Sequence, residues 1–155
     1  MDFSMTDHYD RVRQLMCKIP GQNTPTEVTM PSEETRLLRA KLILEEALET
    51  IEGLGVSVNW DGIFKITSDE VSFELSHKPD MIEIVDGCAD ISVVTTGTLI
   101  ACGVPDEELL RLVDENNLAK FGLGSYLRED GKWMKPPDHK PPDIKGLLNK
   151  LGWKE

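Results

Sequence analysis

Residues 38–49 read Leu38-Arg39-Ala40-Lys41-Leu42-Ile43-Leu44-Glu45-Glu46-Ala47-Leu48-Glu49, an apolar helical pattern that turns into carboxylates halfway along. At about 100° per residue, Leu38, Leu42, Glu45 and Glu49 fall within roughly 60° of one another. A second stretch behaves the same way. In Glu83-Ile84-Val85-Asp86, with Asp90 one turn further on, Asp86 shares a stripe with Ile82, Ala89 and Val93. Like charges three or four residues apart cost about 0.2–0.5 kcal/mol per pair even when solvated, and buried unpaired carboxylates cost far more. Stability gives no reason for this pattern, whereas a divalent cation shared by two helices does.

Working outward, the acidic stretches sit on the second and third of four predicted helices. Residues 6–18 form the first, with Val12, Leu15, Met16 and Ile19 at helical spacing and Pro20-Gly21 as its stop. After a proline-rich loop, Ser32 is the expected N-cap of the second helix, which runs to Glu52 and ends at Gly53 or Gly55. The period then changes to two. Val56, Val58 and Trp60 alternate, Asp61-Gly62 is a hairpin turn signal, and Ile63–Ile66 is the expected return strand, followed by a further strand over 71–75. The third helix starts near Pro79-Asp80 and ends near Cys102, and the fourth runs from Pro105 to about Phe121. From Gly122 the chain is rich in Gly, Pro and Lys; Tyr126–Leu127 and Trp133–Met134 are expected to pair across Asp130-Gly131, and a weak helix covers 144–151. The fold class predicted is all-α, a four-helix-bundle-like arrangement with a small β-hairpin insertion between the second and third helices. One domain spans 1–155, with its helical core over about 6–121, the insertion over about 56–75 and the tail over 122–155.

With 155 residues the chain can bury one real core. Its net charge of −11 argues against binding a nucleic-acid polymer or an anionic membrane surface, but leaves room for a small anion that arrives as a metal chelate. Cys17, Cys88 and Cys102 are odd in number and lack a C-x-x-C spacing, as in a reducing compartment, and the N-terminal stretch has no apolar segment of a signal peptide. The most apolar run, Ile91 to Val104, contains a serine and three threonines and falls short of the ~18 residues of a membrane span. A cytoplasmic location is expected.

Two helices with carboxylates at such spacing can point about five or six oxygen donors at one volume, a set that selects Mg²⁺ or Mn²⁺ over zinc or copper. A helix-borne di-iron site would need Glu-x-x-His, yet neither acidic helix carries a histidine. All-carboxylate Mg²⁺ sites commonly take their substrates through phosphates. There is no G-x-x-x-x-G-K-[ST] phosphate loop. Metal-dependent hydrolysis of a phosphate compound is the chemistry expected.

Glu45-Glu46-x-x-Glu49 followed by Glu83-x-x-Asp86 resembles the metal signature of the all-α nucleoside triphosphate pyrophosphohydrolases, which include MazG-like enzymes, dimeric dUTPases and phosphoribosyl-ATP pyrophosphohydrolase. Asn117-Leu118-Ala119-Lys120-Phe121 is similar to the family's Asn-x-x-Lys-Phe, so the resemblance spans residues 45–121. The tail, Gly131 to Pro136 with Pro141 to Ile144, looks like that of the phosphoribosyl-ATP pyrophosphohydrolase-like branch. The strand-bearing interval between Glu49 and Glu83 is one that many MazG domains lack. The resemblance implies Mg²⁺-dependent hydrolysis of a nucleoside triphosphate to a monophosphate and pyrophosphate. Glu45, Glu49, Glu83 and Asp86 would hold the ions, with Asp90 as a further ligand. Glu46, counted with them among the metal ligands, would also orient and deprotonate the attacking water. Asn117 and Lys120 would contact the nucleotide and its phosphates, joined by Lys132 if the tail folds over the site. A homodimer or homotetramer is implied, and the apolar surroundings of the third and fourth helices point the same way. Two alternatives stay open: another phosphoanhydride such as phosphoribosyl-ATP or a guanosine alarmone, and a non-catalytic acidic helical protein that serves oligomerisation or partner binding.

Overall fold

The structure, a computed structural model, describes residues 4–60 and 71–154. In chain order the elements are α1 (Asp7–Lys18), α2 (Glu33–Gly53), β1 (Val56–Trp60), β2 (Val71–Leu75), α3 (Met81–Ala101), α4 (Asp106–Leu118), β3 (Tyr126–Leu127), β4 (Trp133–Met134) and α5 (Ile144–Lys150). The chain is mostly helical with two small antiparallel hairpins.

Local chemistry sets the helix starts. Thr6 caps α1 by accepting from the Tyr9 amide, and Ser32 caps α2 by accepting from that of Thr35. Asp80 caps α3 through the amides of Ile82 and Glu83. Pro105 precedes α4 without a side-chain cap. Asp106 opens that helix and is almost fully buried, accepting the Thr6 amide at 3.0 Å and the Thr6 hydroxyl at 2.5 Å. One buried carboxylate therefore ties the starts of α1 and α4 together.

The main packing event is α2 against α3, which run antiparallel, with α1 laid on the C-terminal half of α3. The core forms there, from Tyr9, Val12 and Met16 on α1 against Ile100 and Ala101 on α3. By length and composition α3 could cross a membrane, but its C-terminal half is core and its N-terminal half carries Glu83, Asp86 and Asp90. α4 contacts the other helices only marginally.

The insertion differs in detail from the sequence pattern. β1 pairs with Val71–Leu75, Val56 opposite Leu75 and Trp60 opposite Val71. The Asp61-Gly62 turn and the 63–66 strand lie outside the described residues. The base of this hairpin is fastened to the helix ends. Gly55, at φ +78°, accepts from the Ser76 amide at 2.9 Å, and the Asp80 amide donates to the Gly53 carbonyl at 2.8 Å. A Cβ on Gly55 would sit 2.3 Å from the His77 carbonyl oxygen, so glycine is required there twice over. The second hairpin forms as the sequence predicts, Tyr126 opposite Met134 and Leu127 opposite Trp133.

Candidate active site

The site follows from the register of α2 on α3. A Cβ placed on Gly53 would lie 3.0 Å from the Glu83 Cβ, one on Gly87 would lie 2.3 Å from the Thr50 hydroxyl, and one on Gly97 would lie 2.7 Å from the Arg39 guanidinium. Each step forward along α2 is matched by a step back along α3. The same progression sets Glu46 across from Asp90. The contact face of α2 thus runs through Arg39, Glu46, Thr50 and Gly53. This is rotated from the Leu38–Leu42–Glu45–Glu49 stripe of the sequence pattern because small residues, not leucines, permit the closest approach.

Glu46 is half-buried in this seam. Its carboxyl is held above the usual range by desolvation first, then by the negative charges of Asp90, Glu49, Glu45 and Asp86. Five of the six expected carboxylates therefore share one electrostatic neighbourhood. Glu83, the sixth, lies beside Gly53 and joins Glu49 on a cleft of about 410 Å³. Glu45, Glu49, Glu83, Asp86 and Asp90 are exposed. Among the described residues no three acidic, histidine or cysteine side chains are drawn to a common metal-ligating point. Glu45, Glu49, Glu83, Asp86 and Asp90, being exposed, change rotamer on a fast timescale. The donor chemistry, all oxygen and all anionic, fits a hard divalent cation.

Two groups on the cleft carried no signal in the helical pattern. His77 is pinned by two hydrogen bonds, its Nε2 2.7 Å from the Glu52 carbonyl and its Nδ1 2.8 Å from the Ser76 hydroxyl. A carbonyl only accepts, so Nε2 carries the proton and donates. Beside it Lys78 brings a positive charge to the same cleft. The dipeptide stands three residues ahead of the acidic helix α3, which is the one local cue the sequence offered.

Arg39 is a further residue of the seam that the helical pattern did not single out. It lies in the seam two turns before Glu46, 7% exposed, with one terminal nitrogen on the Gln22 side-chain oxygen and its Nε without a partner. Burial pulls its pKa down from the ordinary arginine value.

Asn117 and Lys120 are brought together, the lysine Nζ donating to the Asn117 side-chain Oδ1 at 2.5 Å. The tail does fold back on this end of α4. Trp133 stacks against Phe121 with ring centroids 5.1 Å apart, and its indole N–H reaches the Lys120 carbonyl at 3.5 Å. Lys132 stands exposed at the turn of the same hairpin, its amide bonded to Asp130. Asn117 and Lys120 thus form a pair at the C-terminal end of the marginally packed α4, with the hairpin that carries Lys132 docked beside it through Trp133.

The chain matches the phosphoribosyl-ATP pyrophosphohydrolase family over residues 12–117, a span from α1 to Asn117 that contains all six carboxylates. No curated protein matches the chain.

Proposed function

The chain belongs to the phosphoribosyl-ATP pyrophosphohydrolase family, within the MazG-like nucleoside triphosphate pyrophosphohydrolases, and from that premise we propose that it hydrolyses (deoxy)nucleoside triphosphates to the monophosphate and pyrophosphate. Family membership makes it a hydrolase of phosphoanhydride bonds; the triphosphate substrate is our reading. The observation that carries it is the crowding of Asp90, Glu49, Glu45 and Asp86 around Glu46. A folded protein keeps such repulsion where a cation relieves it.

Mg²⁺, or Mn²⁺ in its place, would be held by Glu45, Glu49, Glu83, Asp86 and Asp90. When bound it supplies charge neutralisation for the phosphate oxygens. Glu46, half-buried in the seam and with a raised affinity for protons, would orient a water and accept its proton. Asn117 and Lys120 would contact the nucleotide and its phosphates, the lysine as a point charge, with Lys132 contributing from the folded tail. The rate would come mainly from positioning and charge stabilisation.

This reading includes a homodimer, or a tetramer of two dimers. Met81, Ile82 and Val85 at the start of α3 are 61–78% exposed, and Leu37 on α2 is 74% exposed. Covering these faces with a second copy would complete the helical bundle and would bring another copy's α4 cluster within reach of the carboxylates. The three thiols are unpaired, in keeping with a cytoplasmic location.

Release of pyrophosphate from a panel of nucleoside triphosphates, with and without Mg²⁺, tests the proposal. Activity on triphosphates that vanishes in EDTA is expected. The family match favours one other substrate, phosphoribosyl-ATP, and its inclusion in the panel decides between the two. Failure on every phosphoanhydride would leave the helical interaction protein as the surviving reading.

A further inference from the structure

At the opposite end of α3 from the carboxylates lies a second cleft, of about 430 Å³, between α1, the 25–28 loop and the turn at Gly103–Pro105. Asp90 and Ala101 are eleven residues apart on one helix, which puts this cleft roughly 16 Å from the acidic seam. Its shape depends on a close contact. Gly103, at φ +69°, approaches the loop so tightly that a Cβ would lie 2.1 Å from the Glu27 carbonyl oxygen, and the Thr29 amide donates to the Cys102 carbonyl at 3.0 Å. Loop and helix end are thus joined, and the cleft is a built feature of the fold.

Two polar groups, Tyr9 and Arg13, open onto it. Tyr9 is only 4% exposed, yet its hydroxyl has no hydrogen-bond partner among the described residues. Among the described residues Arg39 Nε is the one buried side-chain polar atom without a partner, so the Tyr9 hydroxyl meets solvent in the cleft, where a ligand can take the place of water. Arg13, one turn along α1 and half-buried, lines the same cleft and has no ion pair among the described residues. Asp106 is also near Tyr9, but both its oxygens are already engaged by Thr6. Opposite the two donors the wall is apolar, from Met5, Pro25, Val28 and Pro105.

We infer that this cleft binds a small organic anion, its acidic head on the Arg13 guanidinium and the Tyr9 hydroxyl and its apolar body against Met5, Pro25 and Val28. The head is a phosphate monoester or a carboxylate, since both accept from a guanidinium fork and a phenol. The apolar wall excludes bare inorganic anions as the preferred occupant. The inference does not rest on the proposed reaction.

Calorimetric titration of the full chain in EDTA tests it, because without a cation the acidic seam repels anions. Adenosine monophosphate, phenylacetate and inorganic phosphate are the probes. Saturable binding of either organic anion at millimolar concentrations or below is expected, and which of the two binds identifies the head group. Arg13→Gln should weaken that binding about tenfold or more, and Tyr9→Phe, which keeps the ring in the core, about three- to fivefold. Glu49→Gln should leave it unchanged. The inference is overturned if neither organic anion binds, if Arg13→Gln binds as well as the wild type, if Glu49→Gln abolishes binding, or if inorganic phosphate binds as tightly as the organic probes.

Discussion

At Glu46, burial and four neighbouring carboxylates favour the protonated acid. The folded chain therefore holds this proton more tightly than the unfolded chain. Stability falls as pH rises between the unfolded and the folded pKa, and the penalty stays in full above that window. In EDTA at neutral pH, Glu46→Gln should melt at the wild-type temperature or higher, and in Mg²⁺ its pyrophosphate release should disappear. A variant that melts lower and still turns over would refute both the repulsion and the catalytic role. Glu49→Gln should follow the same pattern, retained folding with lost turnover, which separates an enzyme from an interaction module. The residue types of this site were legible in the sequence because helical spacing alone gathers carboxylates on a face. Arg39 was not, since an arginine among leucines reads as a surface residue. Only the register shows Gly97 making room for its guanidinium.

The helices themselves were read to within a few residues because their signals are local: Ser32 and Asp80 cap them and Gly103 ends α3. Strand pairing is a choice made at a distance, and the alternation of Val56, Val58 and Trp60 does not by itself name 71–75 as the partner of β1; the 63–66 strand lies outside the described residues. The rotation of the α2 stripe escaped for a similar reason. Helical periodicity weights leucines, whereas the seam was decided by Thr50 meeting Gly87, a contact between residues far apart in the chain. That contact makes a sharp prediction. Gly87→Ala would press its methyl on the Thr50 hydroxyl, 2.3 Å away, and should cost about 1–3 kcal/mol by overpacking. Adding Thr50→Ala should recover part of the loss, and a chemical-denaturation double-mutant cycle would show the coupling. At the other tie, Asp106→Ala deprives Thr6 of acceptors for its amide and hydroxyl. A loss of about 1.5–3 kcal/mol in the same assay is expected.

For the molecule as a whole, the exposed apolar start of α3 is the feature a single chain leaves unresolved. The proposed dimer would bury it, and light scattering at micromolar concentration should then return twice the mass of one chain or more. Ile82, 78% exposed, is the place to test this. Ile82→Glu should shift the population towards the monomer without loss of helical content by circular dichroism. A wild type that scatters as a single chain would rule out the assembly. Mg²⁺ should raise the melting temperature of the wild type, as any ligand of the native state does, and Glu49→Gln should blunt that rise. The fastening at the base of the first hairpin has a practical meaning for engineering. Because Gly53 is bonded to Asp80 and Gly55 to Ser76, the ends of α2 and α3 are locked before the chain reaches Trp60. The strand pair beyond that lock is a handle: a fluorescent label carried on β2 at Phe73, 65% exposed, would report on the hairpin while leaving the carboxylates untouched.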